Sequence, residues 1–261
     1  MATSGTQESA AETTHGPAMT TAGAAPLRLD QPIQPQLVAR LREAIVETRL
    51  RPGQALSEAE IAAGYGVSRQ PVRETFIRLR ELGLVQIMPS RGTFVTRISA
   101  REVLNARFVR EAIECAVARL AARLIDGEGR RRLDAAIADQ AAAAAAGDAA
   151  RFYALDETFH RTIAAIADCD YAARVIEDVR VQLDRVRFLS LPQATPLGTL
   201  VAQHSAIAAA IAGRDGDGAE AAMRAHLREI LMSLPRLARA NPDMFEDIDA
   251  PAHAKTLAAE R

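Results

Sequence analysis

The sequence predicts a mainly α protein in two parts, an N-terminal module of three helices closed by a β-hairpin and then an all-α six-helix bundle. Three observations carry that expectation. Alanine is abundant, aromatic residues make up 4% of the chain and Trp is absent, a balance suited to helices packed through small side chains rather than to β-sandwiches. Apolar residues recur at helical spacing, whereas residues 84–98 are rich in Val, Ile, Phe and Thr about a turn. The 261 residues suffice for two domains of ordinary size.

The first 26 residues are mostly Ala, Thr, Ser and Gly without apolar periodicity, so a disordered arm is expected there. From Gln34 to about Thr48, Leu37, Leu41 and Ile45 form the stripe of an amphipathic helix, which "RPGQ" at 51–54 ends. In "SEAEIAAGYGVSRQPVRETFIRLRELGL", Ser57 and Glu60 have capping-box spacing, and Ser68 can cap a further helix with Pro71 in its first turn. A short turn with Gly64 and Gly66 separates these two helices. "LVQIMPSRGTFVTRI" then reads as two strands about a Pro-Ser-Arg-Gly turn. This order, over residues 27–98, is that of a winged helix-turn-helix.

Charge is distributed to match. The net charge of −1 hides a first module in which eleven Arg face seven acids, while residues 99–261 set twenty Arg and one Lys against twenty-four acids. A basic module permits a nucleic-acid partner. On its third helix, Val72, Phe76 and Leu79 line a core side, and Arg69 and Arg73 sit four apart on another side near the N-terminus. Cations are a poor choice at the positive end of a helix unless DNA lies there, where Arg can bond guanine in a bidentate way. Arg91 at the hairpin tip would reach phosphates or the minor groove. The competing reading is a solvated arginine face paired with neighbours such as Glu74.

Residues 49–95, "RLRPGQALSEAEIAAGYGVSRQPVRETFIRLRELGLVQIMPSRGTFV", resemble the GntR family of bacterial transcription regulators. The likeness lies in PG, L-S-E, VSR-PVRE, L-x-x-x-GL and a wing ending RG-x-x-V. It implies that Ser68, Arg69, Gln70, Arg73, Arg91 and Gly92 contact a double-stranded DNA operator. "RETF" stands where the family commonly has "REAL", a departure on the core side of the helix.

Ser99 with Glu102 makes another capping box and opens the second domain, residues 99–240, with a long helix that ends near Asp126 and Gly127. Further helices are expected at about 129–146, 149–167, 171–190, 197–213 and 218–239, followed by a flexible tail over 241–261. The run Ala141–Ala146 reads as surface helix, since Ala is the best helix former. Cys115 and Cys169 form no spaced framework, no apolar run reaches the roughly 18 residues of a membrane span, and a secretory leader is not visible, so a cytoplasmic protein is expected.

Four polar residues sit where core residues belong. Asp156 lies four after Phe152 and seven before Ile163, His160 follows one turn on, His204 precedes Ile207 and Ile211, and His226 follows Met223. One such histidine is an ordinary hydrogen-bonded core residue. Four such groups, each worth about 1 to 3 kcal/mol if left unpaired, point to a divalent metal ion shared between facing helices. Neutral imidazoles with one carboxylate suit zinc foremost, and also nickel, iron or manganese.

The second domain is similar to the FCD ligand-binding domain of the FadR subfamily, through "DETFH", "HSAI" and "MRAH". That likeness implies that Asp156, His160, His204 and His226 coordinate the metal, and that Arg110 anchors the carboxylate of a small organic acid. Arg110 could equally pair with Glu114 on its own helix. Cys169 is a departure, since many relatives have Asn there. The expected protein is a homodimer on a palindromic operator, without enzymatic activity, whose grip on DNA responds to the acid. Two alternatives are a metal-dependent hydrolase, for which Glu157 is the nearest candidate base, and a domain in which the metal is a structural staple.

Overall fold

A computed structural model of the chain describes residues 26–190 and 196–247. The expected arm, apart from Pro26, and residues 248–261 of the expected tail lie outside the described residues. In the N-terminal module α1 (Ile33–Val46) is followed by β1 (Ala55–Leu56), α2 (Glu58–Tyr65), α3 (Arg69–Glu81), β2 (Val85–Met88) and β3 (Gly92–Val95). The Ser57 hydroxyl accepts from the Glu60 amide at 3.3 Å and starts α2, and Gly66, left-handed at φ 66°, ends it. Ser68 stands at the cap position of α3, but its side chain makes no capping hydrogen bond, which differs from the expected cap.

The hairpin is an antiparallel pair with Gln86 opposite Phe94, and β1 joins on the far side to make a three-stranded sheet in the order β1-β3-β2. At its tip Gly92 adopts φ 110°, a backbone conformation that L side chains rarely adopt. Leu37, Leu41, Ile45, Ile61, Val72, Phe76 and Leu79 fill the core between the three helices.

A second, two-stranded sheet pairs β4 (Ile98–Ser99) in parallel with β5 (Phe245–Asp247). Part of the segment expected to be a flexible tail is therefore ordered, because Phe245 is buried against Ile98, Val103 and Leu237. The helices of the second domain are α4 (Ala100–Leu124), α5 (Gly127–Ala145), α6 (Ala149–Ile166), α7 (Asp170–Val179), α8 (Val181–Ser190), α9 (Leu197–Ala212), α10 (Gly216–Arg228) and α11 (Ile230–Ala240). Six were expected. The difference lies at Arg180 and Glu229, where two expected helices are each divided in two although both residues keep helical dihedrals. Asp126, Asp148 and Asp215 cap α5, α6 and α10 by accepting from the amide three residues on.

The bundle core joins Ala118, Ala121 and Ala122 of α4 to Leu133, Phe159, Ile163, Ile207, Ile211 and Met223. Alanine on α4 lets α9 and α10 approach closely, and the functional side chains hang from the same faces.

Helix α8 belongs to both domains. Its Val181 is fully buried in the core of the N-terminal module, while Leu183 and Val186 pack with Val103 and Leu234. Gln182 donates to the carbonyls of Leu82 and Gly83 at 3.2 Å, and buried Arg185 donates to the Thr96 carbonyl at 2.7 Å. Arg42 of α1 meets Asp184 at 3.3 Å, and Arg78 of α3 meets Asp178 of α7 at 2.6 Å. Val181→Ala is expected to destabilise the docked pair of domains by about 2 kcal/mol, from the two buried methyl groups it removes and the cavity it leaves. Urea unfolding followed by circular dichroism checks this, and an unchanged midpoint would remove the docking role.

Candidate metal centre and nucleic-acid interface

Helical spacing brings Asp156 and His160 onto one face of α6, and packing against α9 and α10 sets His204 and His226 opposite them. All four are buried, none more than 7% exposed, and their ligand atoms lie within 4.8 Å of one another. His204 Nε2 is 3.3 Å from His226 Nε2 and 3.4 Å from Asp156 Oδ1. The His160 ring centroid stands 5.3 Å from that of His226.

Burial dominates the electrostatics. It pushes the imidazole of His204 down to about 3, only partly opposed by Asp156, and together with the neighbouring rings it drives His226 well below the ordinary value. Both rings are therefore neutral near pH 7. Burial is the largest influence on Asp156 and opposes its ionisation, but Arg187, whose Nη1 donates to Oδ2 at 2.5 Å, together with His160, His204 and Arg180 holds the carboxyl well below the usual range. His160 Nδ1 lies 2.6 Å from Glu114 Oε2 but off the line that a hydrogen bond needs, so neither of its ring nitrogens has an aligned partner. The neutral rings of His204 and His226, the Asp156 carboxylate and the His160 ring beside Glu114 are a donor set that could hold a divalent cation.

Arg110 pairs with Glu114 on its own helix at 2.5 Å, the contact weighed against an effector role. It also borders a cavity of about 40 Å³ that Arg107, Arg187, Tyr153, Ser190 and His226 help to line. Arg107 is 1% exposed, and although one guanidinium nitrogen meets Glu111, its Nε and Nη2 have no hydrogen-bond partner. Arg107 and Arg187 were not singled out from the sequence. The available signal was their helical register, since Arg107 lies three after Leu104 and Arg187 four after Leu183, both core residues. Glu157, the candidate base for a hydrolase, is engaged by Arg161 at 3.3 Å and Arg180 at 3.6 Å.

At the other end of the molecule, Ser68, Arg69, Gln70 and Arg73 are exposed along the start of α3, with Arg91 and Gly92 exposed on the hairpin. Arg73 pairs with Glu58 at 3.1 Å and Gln70 donates to Glu74 at 2.8 Å, while Arg69 has no ion-pair partner among the described residues.

A three-helix module with an exposed helix start beside a β-hairpin, carried on an all-α domain with a buried polar centre, defines a two-domain transcription regulator. Residues 33–95 match the bacterial regulatory proteins of the gntR family, and residues 106–229 match the FCD domain. RspR, an HTH-type transcriptional repressor of Escherichia coli (strain K12), is 42% identical over 217 residues, covering 83% of this chain and 95% of the repressor. An HTH-type regulator of Streptomyces ambofaciens is 34% identical, over 79% of this chain and 86% of its own length. The chain therefore belongs to the GntR family of transcriptional regulators, with an FCD domain as its second half. Among solved structures, Escherichia coli McbR/YncC covers 80% of this chain and 99% of its own with a TM-score of 0.69 at 18% identity, a likeness of fold. A GntR regulator from Rhodococcus sp. RHA1 is similar with a TM-score of 0.64 at 25% identity, over 76% of this chain and 94% of its own. No helix among the described residues is long and apolar enough to cross a membrane.

The depressed histidines give the metal-free protein a pH signature. Between about 6.5 and about 3 the unfolded chain binds a proton at His204 that the folded chain refuses, so stability falls as the pH is lowered through that window. The expected slope is about 1 kcal/mol per pH unit for each such histidine. Thermal melts of metal-free protein over this range check it, with His204→Asn expected to flatten the dependence.

Proposed function

We propose that the protein binds a palindromic operator as a homodimer and that its affinity changes when a small organic acid enters the arginine-lined cavity beside a divalent metal held by Asp156, His160, His204 and His226. The observation that carries this reading is Arg107, a buried guanidinium with two unpartnered nitrogens at a cavity that also meets Arg110, Arg187 and His226. Buried guanidinium N–H groups without acceptors are costly even when the charge itself is paired with Glu111, and a carboxylate would accept from them. The metal would neutralise the lone pairs converging on the cluster and offer a coordination position to the same acid. Zinc suits this donor set foremost, with nickel, iron or manganese as the other choices.

The second domain can bias the first through α8, which bonds Asp156 through Arg187 and the wing through Arg185. Anything that draws Asp156 away from Arg187 changes the restraint on that helix. On the DNA side, exposed Arg69 and Gln70 support base contacts, and Arg73 can exchange Glu58 for a base or phosphate because its side chain is exposed. Exposed Phe108 and Val109, with Ala112 and Ala116, form an apolar strip on α4 that supports pairing with a second copy.

Arg69→Ala and Arg73→Ala are each expected to weaken operator binding by about 1 to 3 kcal/mol. Gel-shift titrations read this, and parental binding by both would remove the assignment of α3. Small carboxylates added to the metal-loaded protein should raise its melting temperature and alter its gel shift. Arg107→Leu should lose both responses, and a full response in that variant would sink the cavity as the effector site.

A further inference from the structure

Resting on the metal-site reading, we infer that Gln140 and Gln203 are positioning residues that lock His204 and His226 in the tautomer able to bind metal. Gln140 is fully buried on α5. Its amide nitrogen donates to the Leu155 carbonyl at 3.2 Å, and that carbonyl can only accept. The amide oxygen therefore faces the other way, 2.6 Å from His204 Nδ1. An amide oxygen also only accepts, so Nδ1 carries the proton and Nε2 keeps its lone pair.

The second pair repeats the logic on a different anchor. Gln203 donates its amide nitrogen to Glu229 Oε2 at 3.2 Å, which leaves its oxygen 3.0 Å from His226 Nδ1. His226 Nε2 is then bare as well. The two bare nitrogens face each other at 3.3 Å, and one of them lies 3.4 Å from a carboxylate oxygen of Asp156. Without the glutamines, either ring could move its proton to Nε2 and bond the other ring or Asp156, satisfying the cluster without any cation. The glutamines forbid that alternative. They are fixed before any ligand arrives, one by helix backbone and one by a carboxylate at the junction of α10 and α11, which itself borders the arginine-lined cavity. Such outer partners orient imidazoles and raise their basicity as ligands.

Two readouts test this. In metal-free, 15N-labelled protein, long-range proton–nitrogen spectra should show both rings protonated at Nδ1. In Gln140→Leu the His204 ring, and in Gln203→Leu the His226 ring, should gain the Nε2-protonated form. Zinc titrated against a competing chelator should bind each variant about tenfold to a hundredfold more weakly than the parent, with the metal-free circular dichroism spectrum unchanged. Gln203 is only half-buried, so its variant keeps the test open if Gln140→Leu does not fold. Nε2 protonation in the parent, or parental zinc affinity in a folded leucine variant, would overturn the inference. A parent that binds no zinc, while showing the Nδ1 tautomers, would instead remove the metal site and leave the tautomer lock standing.

Discussion

The desolvated carboxylate of Asp156 is the constraint on which the second domain depends. An ionised carboxylate cannot be taken from water without partners, and Asp156, at 1% exposure, has one in Arg187, which donates to Oδ2 at 2.5 Å. That contact ties α6 to α8. The surrounding apolar core supplies most of the stabilisation.

Arg187, the partner of Asp156, stands on α8. The same ten-residue helix sends Val181 into the N-terminal core, Arg185 to the carbonyl of Thr96 behind the wing, and Arg187 to Asp156. The carboxylate and the base of the hairpin are thus joined by one packed helix, with no intervening loop. Asp178 at the end of α7 adds a second connection, to Arg78 on α3.

Charge of the opposite kind governs the cavity. Three arginines approach it, each with a carboxylate of its own, Arg110 with Glu114, Arg107 with Glu111 and Arg187 with Asp156, and Glu229 borders it as well. Burial leaves these charges poorly screened by water. The exposed arginines of α3 differ in this respect, since Arg73 and its partner Glu58 are screened by water and exchange partners at little cost.

Much of this was legible in the sequence. The helical stripe of Leu37, Leu41 and Ile45, the Ser57 cap and the Val-, Ile-, Phe- and Thr-rich stretches about the Pro-Ser-Arg-Gly turn specify the N-terminal module through local rules, and the four cluster residues betrayed themselves by occupying core positions at helical spacing. The ordered segment at Phe245, the partition of two helices at Arg180 and Glu229, and the engagement of Arg107 and Arg187 were not legible. Nor was Gln140, although it follows Leu133 and Ala136 on the buried face of α5. Periodicity tells which side of a helix turns inward and nothing about what waits there. Whether an inward polar group meets a carbonyl, an opposite charge or an empty cavity depends on contacts between residues far apart in the chain, and only the tertiary fold decides those.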